Sequence, residues 1–132
     1  MKTILFLCGH NAGRSQMAEA YFNSLGNEEF KAVSAGTKPS KEINAMAKKV
    51  MEKEGIDTSV LYPKKLDKRM SDGVDVVFTM GCNVDCGIFE FPVKVDQDLG
   101  LDDPHGQGEE AVKEIFEKIK KIINHLNLKQ YV

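Results

Sequence analysis

Residues 3–15 read Thr3-Ile4-Leu5-Phe6-Leu7-Cys8-Gly9-His10-Asn11-Ala12-Gly13-Arg14-Ser15. Thr3 to Leu7 is a continuous apolar run bounded by Gly9, the pattern of a strand buried on both faces. From Arg14 to Leu25, Met17, Ala18, Tyr21, Phe22 and Leu25 recur at helical spacing, and Gly26 follows as a C-cap signal. Outward from this strand–loop–helix unit the alternation repeats. Phe30 to Ala35 reads as a second strand closed by Gly36. A helix runs from about Ser40 to Glu54, with Ile43, Ala47, Val50 and Met51 inward and Gly55 at its end. After Tyr62-Pro63, the basic stretch Lys64 to Arg69 reads as a loop or a short helix. Val74 to Met80 is a third strand and Val93 to Val95 a short fourth. Val112, Ile115, Phe116, Ile119, Ile122, Ile123 and Leu126 form one apolar stripe on a last helix, about Glu109 to Leu126. Repeated β–α units imply a small, doubly wound, four-stranded parallel sheet with helices on both faces.

The 132 residues, 1–132, are expected to form a single domain without a linker. Eighteen Lys and Arg against twenty Asp and Glu give a net charge of −2, which argues against a broad nucleic-acid-binding face. No apolar run approaches the ~20 residues of a membrane span, so no membrane association is expected. The apolar start is too short for a signal peptide and meets the polar Gly9-His10-Asn11. A cytoplasmic, reducing setting is expected, where three cysteines read as chemical rather than structural.

In doubly wound sheets ligands bind beyond the carboxyl ends of the strands. Cys8, Cys82 and the acidic segment Asp96 to Asp103 all follow strands. Cys8-Gly9-His10-Asn11-Ala12-Gly13-Arg14-Ser15 is C-x5-R-S between a strand and a helix. Five residues between Cys and Arg fold as a tight loop around a tetrahedral oxyanion, its N–H groups and the helix N-terminus supplying positive potential. Gly9 and Gly13 give the turn its freedom. Arg14 grips two oxygens with its planar fork, and Ser15 is placed to donate to the thiolate. Helix N-termini and cations favour ionised thiols, so Cys8 reads as a nucleophile facing the oxyanion bound by residues 9–14. His10 either tunes the loop or is an exposed loop histidine. Asn11 reads as a loop stabiliser.

This loop, with Gln16-Met17-Ala18-Glu19-Ala20, Ser34-Ala35-Gly36-Thr37, the Val76 to Cys82 strand end and Asp102-Asp103-Pro104, resembles the low-molecular-weight protein tyrosine phosphatase superfamily. Within it the chain is most similar to the thiol-coupled arsenate reductases, favoured by Arg14 to Glu19 and the extra cysteines. The resemblance implies an enzyme, a cytoplasmic and monomeric arsenate reductase without a bound cofactor. Asp103 would be the general acid, with Asp102 as the alternative and a plain Asp-Pro turn as the bland reading. Cys8 would attack arsenic, Cys82 would attack Cys8 as arsenite leaves, and Cys86 would then attack Cys82. The resulting Cys82–Cys86 disulfide would be opened by an external reductant, thioredoxin or a low-molecular-weight thiol.

Other readings of the two later thiols remain. Cys82 can simply end a core strand. A metal site is not expected, because no second pair or closely spaced His completes four ligands. The Cys82 to Cys86 spacing is shorter than in the thioredoxin-coupled members, and Gly87 follows where they carry Pro. Some reductases of the family hold potassium at positions corresponding to Asn11, Glu19 and Ser34 plus an acid. Here Lys64 falls near that acid, and its ammonium would replace the ion by pairing with Glu19. The alternative activity is a tyrosine phosphatase working through a phosphocysteine on Cys8. It lacks the tyrosines that resembling phosphatases carry after Asp103-Pro104. A third reading is an oxyanion-binding or redox-sensing protein without turnover.

Overall fold

Strand β1, Lys2–Cys8, is the centre of the sheet, flanked by parallel neighbours on both sides. In the computed structural model, which describes residues 1–81, 91, 93–104 and 106–131, the sheet order is β2-β1-β3-β4. β2 is Phe30–Gly36, β3 is Val76–Thr79 and β4 is Gln97–Asp98. β1 pairs with β2 from Lys2↔Phe30 to Cys8↔Gly36 and with β3 from Ile4↔Val76 to Leu7↔Thr79. The chain therefore winds one way from β1 to β2 and the other way to β3. Cys8, the last residue of β1, stands at the switch point where such sheets open a crevice.

Alternation along β1 divides the core. Ile4, Phe6 and Cys8 belong to the larger cluster and Leu5 and Leu7 to the smaller, so both faces are buried as the apolar run requires. Helices α1 (Arg14–Ser24), α2 (Ala45–Lys53) and α4 (Glu109–Asn124) pack together on the first face. α4 contributes Val112, Ile115, Phe116, Ile119 and Ile123, each buried and worth about 1.5–3 kcal/mol by transfer, which makes it the main anchor of that face. On the second face Met70 of α3 (Lys68–Gly73) packs against the cluster of Leu5, Leu7, Ala35, Leu66 and Val77, with Phe91 and Val93. Helices thus lie on both faces of a four-stranded parallel α/β sheet. No helix of the described residues is long and apolar enough to cross a membrane.

Besides shifts of one or two residues elsewhere, two boundaries differ from the sequence reading. The second helix starts at Ala45, not near Ser40, because Asn44 is its N-cap and accepts from the N–H groups of Met46 and Ala47. Residues 38–44 run instead along the loop after β1. The fourth strand is Gln97–Asp98 rather than Val93 to Val95. Carboxylates fix it there: Asp96 accepts from Val77 N at 2.8 Å, and Asp98 accepts from Thr79 Oγ1 at 2.6 Å. Polar pairing to β3 outweighed the β-branched pattern, and Val95 is left exposed.

Candidate active site

The loop after β1 presents its carbonyls outward, one after another. Gly9 O accepts from Lys38 N, His10 O from Ser40 N and Ala12 O from Asn44 N, at 2.8–2.9 Å. Gly13 O accepts from Met17 N in the first turn of α1, and Asn11 O accepts from Gln16 Nε2, both at 2.9 Å. A trans peptide carries its N–H opposite its carbonyl. The N–H groups of residues 10–14 are therefore turned toward the loop's interior, where the N-terminus of α1 adds its positive end. Asn11 makes the turn with φ of 50°, a left-handed conformation that Asn tolerates better than most residues.

Within this cradle Cys8 Sγ accepts from Asn11 N at 3.2 Å and lies 2.9 Å from Ser15 Oγ. Asn11 Nδ2 donates to Ser15 Oγ at 2.8 Å, which leaves the hydroxyl's own proton for the sulfur. Arg14, only 7% exposed, donates through Nη1 to the carbonyls of Met80 (3.0 Å) and Leu101 (2.8 Å). Its Nη2 stands 3.8 Å from Asp103 Oδ2. Cys8, Arg14 and Asp103 line one cavity of about 130 Å³, walled by Ala47, Pro104 and Val112. No Phe, Tyr or Trp lines it among the described residues. Such an arrangement provides a polarised thiol, a fork for two oxygens and a carboxyl group at the mouth, the parts needed for nucleophilic attack on a tetrahedral oxyanion.

The low molecular weight phosphotyrosine protein phosphatase model matches residues 3–131. The chain belongs to that family. A glutaredoxin arsenate reductase of Synechocystis is 31% identical over 127 residues, covering 96% of each chain. A solved arsenate reductase in the phosphate binding state superposes with a TM-score of 0.82 at 29% identity over the whole of both chains. The thioredoxin-dependent arsenate reductase of Corynebacterium glutamicum superposes with a TM-score of 0.71 at 30% identity, covering 98% of this chain and 64% of that one.

As a member of this phosphatase family the chain carries a polar cluster beside the loop. Glu19 Oε1 accepts from Ser34 Oγ at 2.9 Å and lies 3.6 Å from Lys64 Nζ, the pairing that the family resemblance implied. Lys64 Nζ also donates to Tyr62 O, and Lys64 N donates to Asn11 Oδ1 at 2.8 Å. The other basic residues of the stretch are exposed: Lys68 pairs with Asp72 on the surface, and Lys65 and Arg69 face solvent. His10 is exposed at the lip of the cavity, its ring on Lys38 O at 3.2 Å. Asp102 is exposed. Cys82 and Cys86 lie outside the described residues, although Gly81, described, places the root of their segment. Its φ is 91°, and a Cβ there would meet Leu101 N at 2.3 Å.

Two parts of this site escaped the sequence reading. The 38–44 segment holds three loop carbonyls, and Gln16 holds a fourth. Asn44 carried a usable signal, a helix-capping residue ahead of Ala45-Met46-Ala47. Gln16 counted only toward the family resemblance, and nothing signalled its burial, since a glutamine in the first turn of a helix is ordinarily exposed.

Proposed function

We propose that the chain is a cytoplasmic arsenate reductase whose oxidised thiols are returned by an external thiol reductant. The observation that carries this reading is Arg14. The guanidinium at the mouth of the oxyanion loop is also bonded to Met80 O and Leu101 O, on either side of the segment that continues through Gly81 to Cys82. The names of the similar proteins point the same way.

The thiolate of Cys8 attacks arsenic in arsenate, with the oxygens on the N–H groups of the loop and on Arg14. Asp103 delivers a proton to the departing oxygen, which leaves as water. The thiolate of Cys82 then attacks the Cys8 sulfur. The S–As electron pair passes to arsenic, which falls from As(V) to As(III) and leaves as arsenite, and a Cys8–Cys82 disulfide forms. Cys86 attacks Cys82 and frees Cys8, and the Cys82–Cys86 disulfide is reduced by thioredoxin or by a glutaredoxin with a low-molecular-weight thiol. A single copy of the chain carries every residue named, so this reading uses a monomer, and no metal enters it.

A second reading, phosphatase action through a phosphocysteine, draws on Asp103 beside Arg14 in the same cavity. The absence of aromatic rings from the described cavity wall favours a small inorganic oxyanion over an aryl ester. The test is arsenate-dependent NADPH oxidation with thioredoxin and thioredoxin reductase, repeated with glutaredoxin, glutathione and glutathione reductase. Aryl-phosphate hydrolysis is assayed in parallel. Turnover requiring arsenate and one of the two thiol systems supports the reductase. Hydrolysis without arsenate turnover in either supports the phosphatase.

A further inference from the structure

Gln16 is fully buried in the first turn of α1, and its Oε1 has no hydrogen-bond partner among the described residues. An unpaired buried amide oxygen costs free energy, so the orientation of this side chain calls for a reason. Nε2 supplies one. It donates to Asn11 O and Tyr62 O at 2.9 Å and lies 3.1 Å from Asn11 Oδ1. Turning the amide over would set Oε1 against three oxygens. The orphan on one side is thus the consequence of contacts on the other.

We propose that Gln16 is a positioning residue for the Cys8 site, acting through Asn11. Among the described residues, a side chain holds only one of the five loop carbonyls from Gly9 to Gly13, that of Asn11, and the peptide it belongs to aims the Ala12 N–H into the cradle. Gln16 also fixes the sense of the Asn11 amide. With Gln16 Nε2 and Lys64 N both on Oδ1, Asn11 must turn Nδ2 to Ser15, and Ser15 must turn its proton to Cys8. A directed chain therefore runs from Gln16 through Asn11 and Ser15 to the sulfur. Arg14, His10, Glu42 and Asp103 also line the cavity.

The inference rests on Cys8 being the thiolate of the site but requires no arsenate turnover. It is tested in a Cys82→Ser, Cys86→Ser background, so that iodoacetamide reports Cys8 alone. In Gln16→Met the alkylation rate at pH 7 falls about tenfold, and its pH profile moves upward. The concentration of inorganic phosphate needed to protect Cys8 rises by a similar factor. Gln16→Glu keeps the size but replaces the donors by an acceptor facing Asn11 O and Tyr62 O, and does at least as badly. A folded variant with the parent's profile and phosphate protection overturns the proposal, whatever its melting temperature. In the unsubstituted chain the Gln16 Nε2 protons, followed by NMR, are protected from exchange and shift when phosphate is added. Free exchange or no response overturns the proposal without any Gln16 variant. Arsenate reduction failing in the unsubstituted chain while these responses appear rejects the reductase reading and leaves Gln16's role standing.

Discussion

Arg14 Nη2 and Asp103 Oδ2 lie 3.8 Å apart across the mouth of the cavity that holds Cys8. The guanidinium is buried and the carboxylate side chain is 47% exposed, so the pair is a loose electrostatic contact rather than a structural bond. In the proposed reaction Asp103 is the proton donor, and its place at the cavity mouth beside Arg14 suits that role. Where the chain hydrolyses an aryl phosphate, Asp103→Asn is expected to lower kcat by roughly 10²–10⁴-fold, the usual size of a lost general acid, with KM little changed. Asp102→Asn, at an exposed neighbour, retains most of the rate. Equal loss in both variants reassigns the acid.

Gly36, at the end of β2, supports the loop from below. A Cβ there would sit 2.5 Å from Gly9 O and 3.0 Å from Asn11 N, both main-chain atoms that cannot swing aside. Gly36→Ala is expected to cost about 1–3 kcal/mol as overpacking. Oxyanion affinity should fall along with it, because the displaced atoms belong to the cradle. Urea unfolding and phosphate protection of Cys8 measure the two effects. Loss of stability with intact phosphate affinity would show that the strand end, not the loop, absorbs the extra methyl.

Cys8, Arg14 and Ser15 were legible because their spacing between an apolar run and a helix is itself the geometric requirement for an oxyanion loop. The parallel order followed from alternating strands and helices. Gln16 was illegible because its burial depends on residues 62–64 arriving from another part of the chain. The strand at Gln97–Asp98 was illegible for a related reason. Its pairing is chosen by Asp96 and Asp98 reaching β3, and hydropathy gives such carboxylates no weight. Along α1 the buried Arg14, Ser15, Gln16 and Glu19 break the usual rule for helix faces, and those violations cluster at the site.

Glu109 begins α4 and joins it to α2. Hydrogen bonds from Lys53 (2.7 Å) and Lys49 (2.9 Å) lower its pKa to about 2 from an ordinary 4.5. A depressed carboxyl pKa contributes stability that is present above the unfolded value and lost as pH falls through the folded one. The loss attributable to Glu109 therefore falls between about pH 4.5 and 2. Glu109→Gln should flatten that part of the stability–pH curve and converge with the parent at the acid end. Salt should shrink the difference, since the pair is at the surface. An unchanged slope in denaturant titrations would show that the three-residue cluster does not link pH to folding.

Lys64 and Glu19 offer a contrast, because their side chains are only 17% and 11% exposed. Removing one partner leaves a largely buried charge. Lys64→Met should cost about 1–3 kcal/mol through the uncompensated Glu19 carboxylate. Glu19→Gln in the same chain should recover part of that, as the amide still accepts from Ser34. A double-mutant cycle by urea unfolding reads the coupling. Strict additivity would mean that Lys64 acts through Tyr62, whose carbonyl and ring it also meets, rather than through Glu19.

The decisive separation of the two candidate activities lies in the thiols. Cys8 sits in the cradle, 2.9 Å from Ser15 Oγ, and both activities begin there. Cys8→Ser should therefore abolish arsenate reduction and aryl-phosphate hydrolysis together, since a hydroxyl is a far weaker nucleophile at neutral pH. In the proposed cascade Cys82 enters only when electrons must pass to arsenic. Cys82→Ser should eliminate sustained arsenate turnover and spare hydrolysis within about twofold, because phosphoryl transfer needs no second thiol. Cys86→Ser should behave differently again: arsenite is released once per chain, and the stalled Cys8–Cys82 disulfide is then detectable by mass after alkylation. Were Cys82→Ser to lose hydrolysis as completely as reduction, Cys82 would be shaping the site, and the cascade would need another resolving thiol.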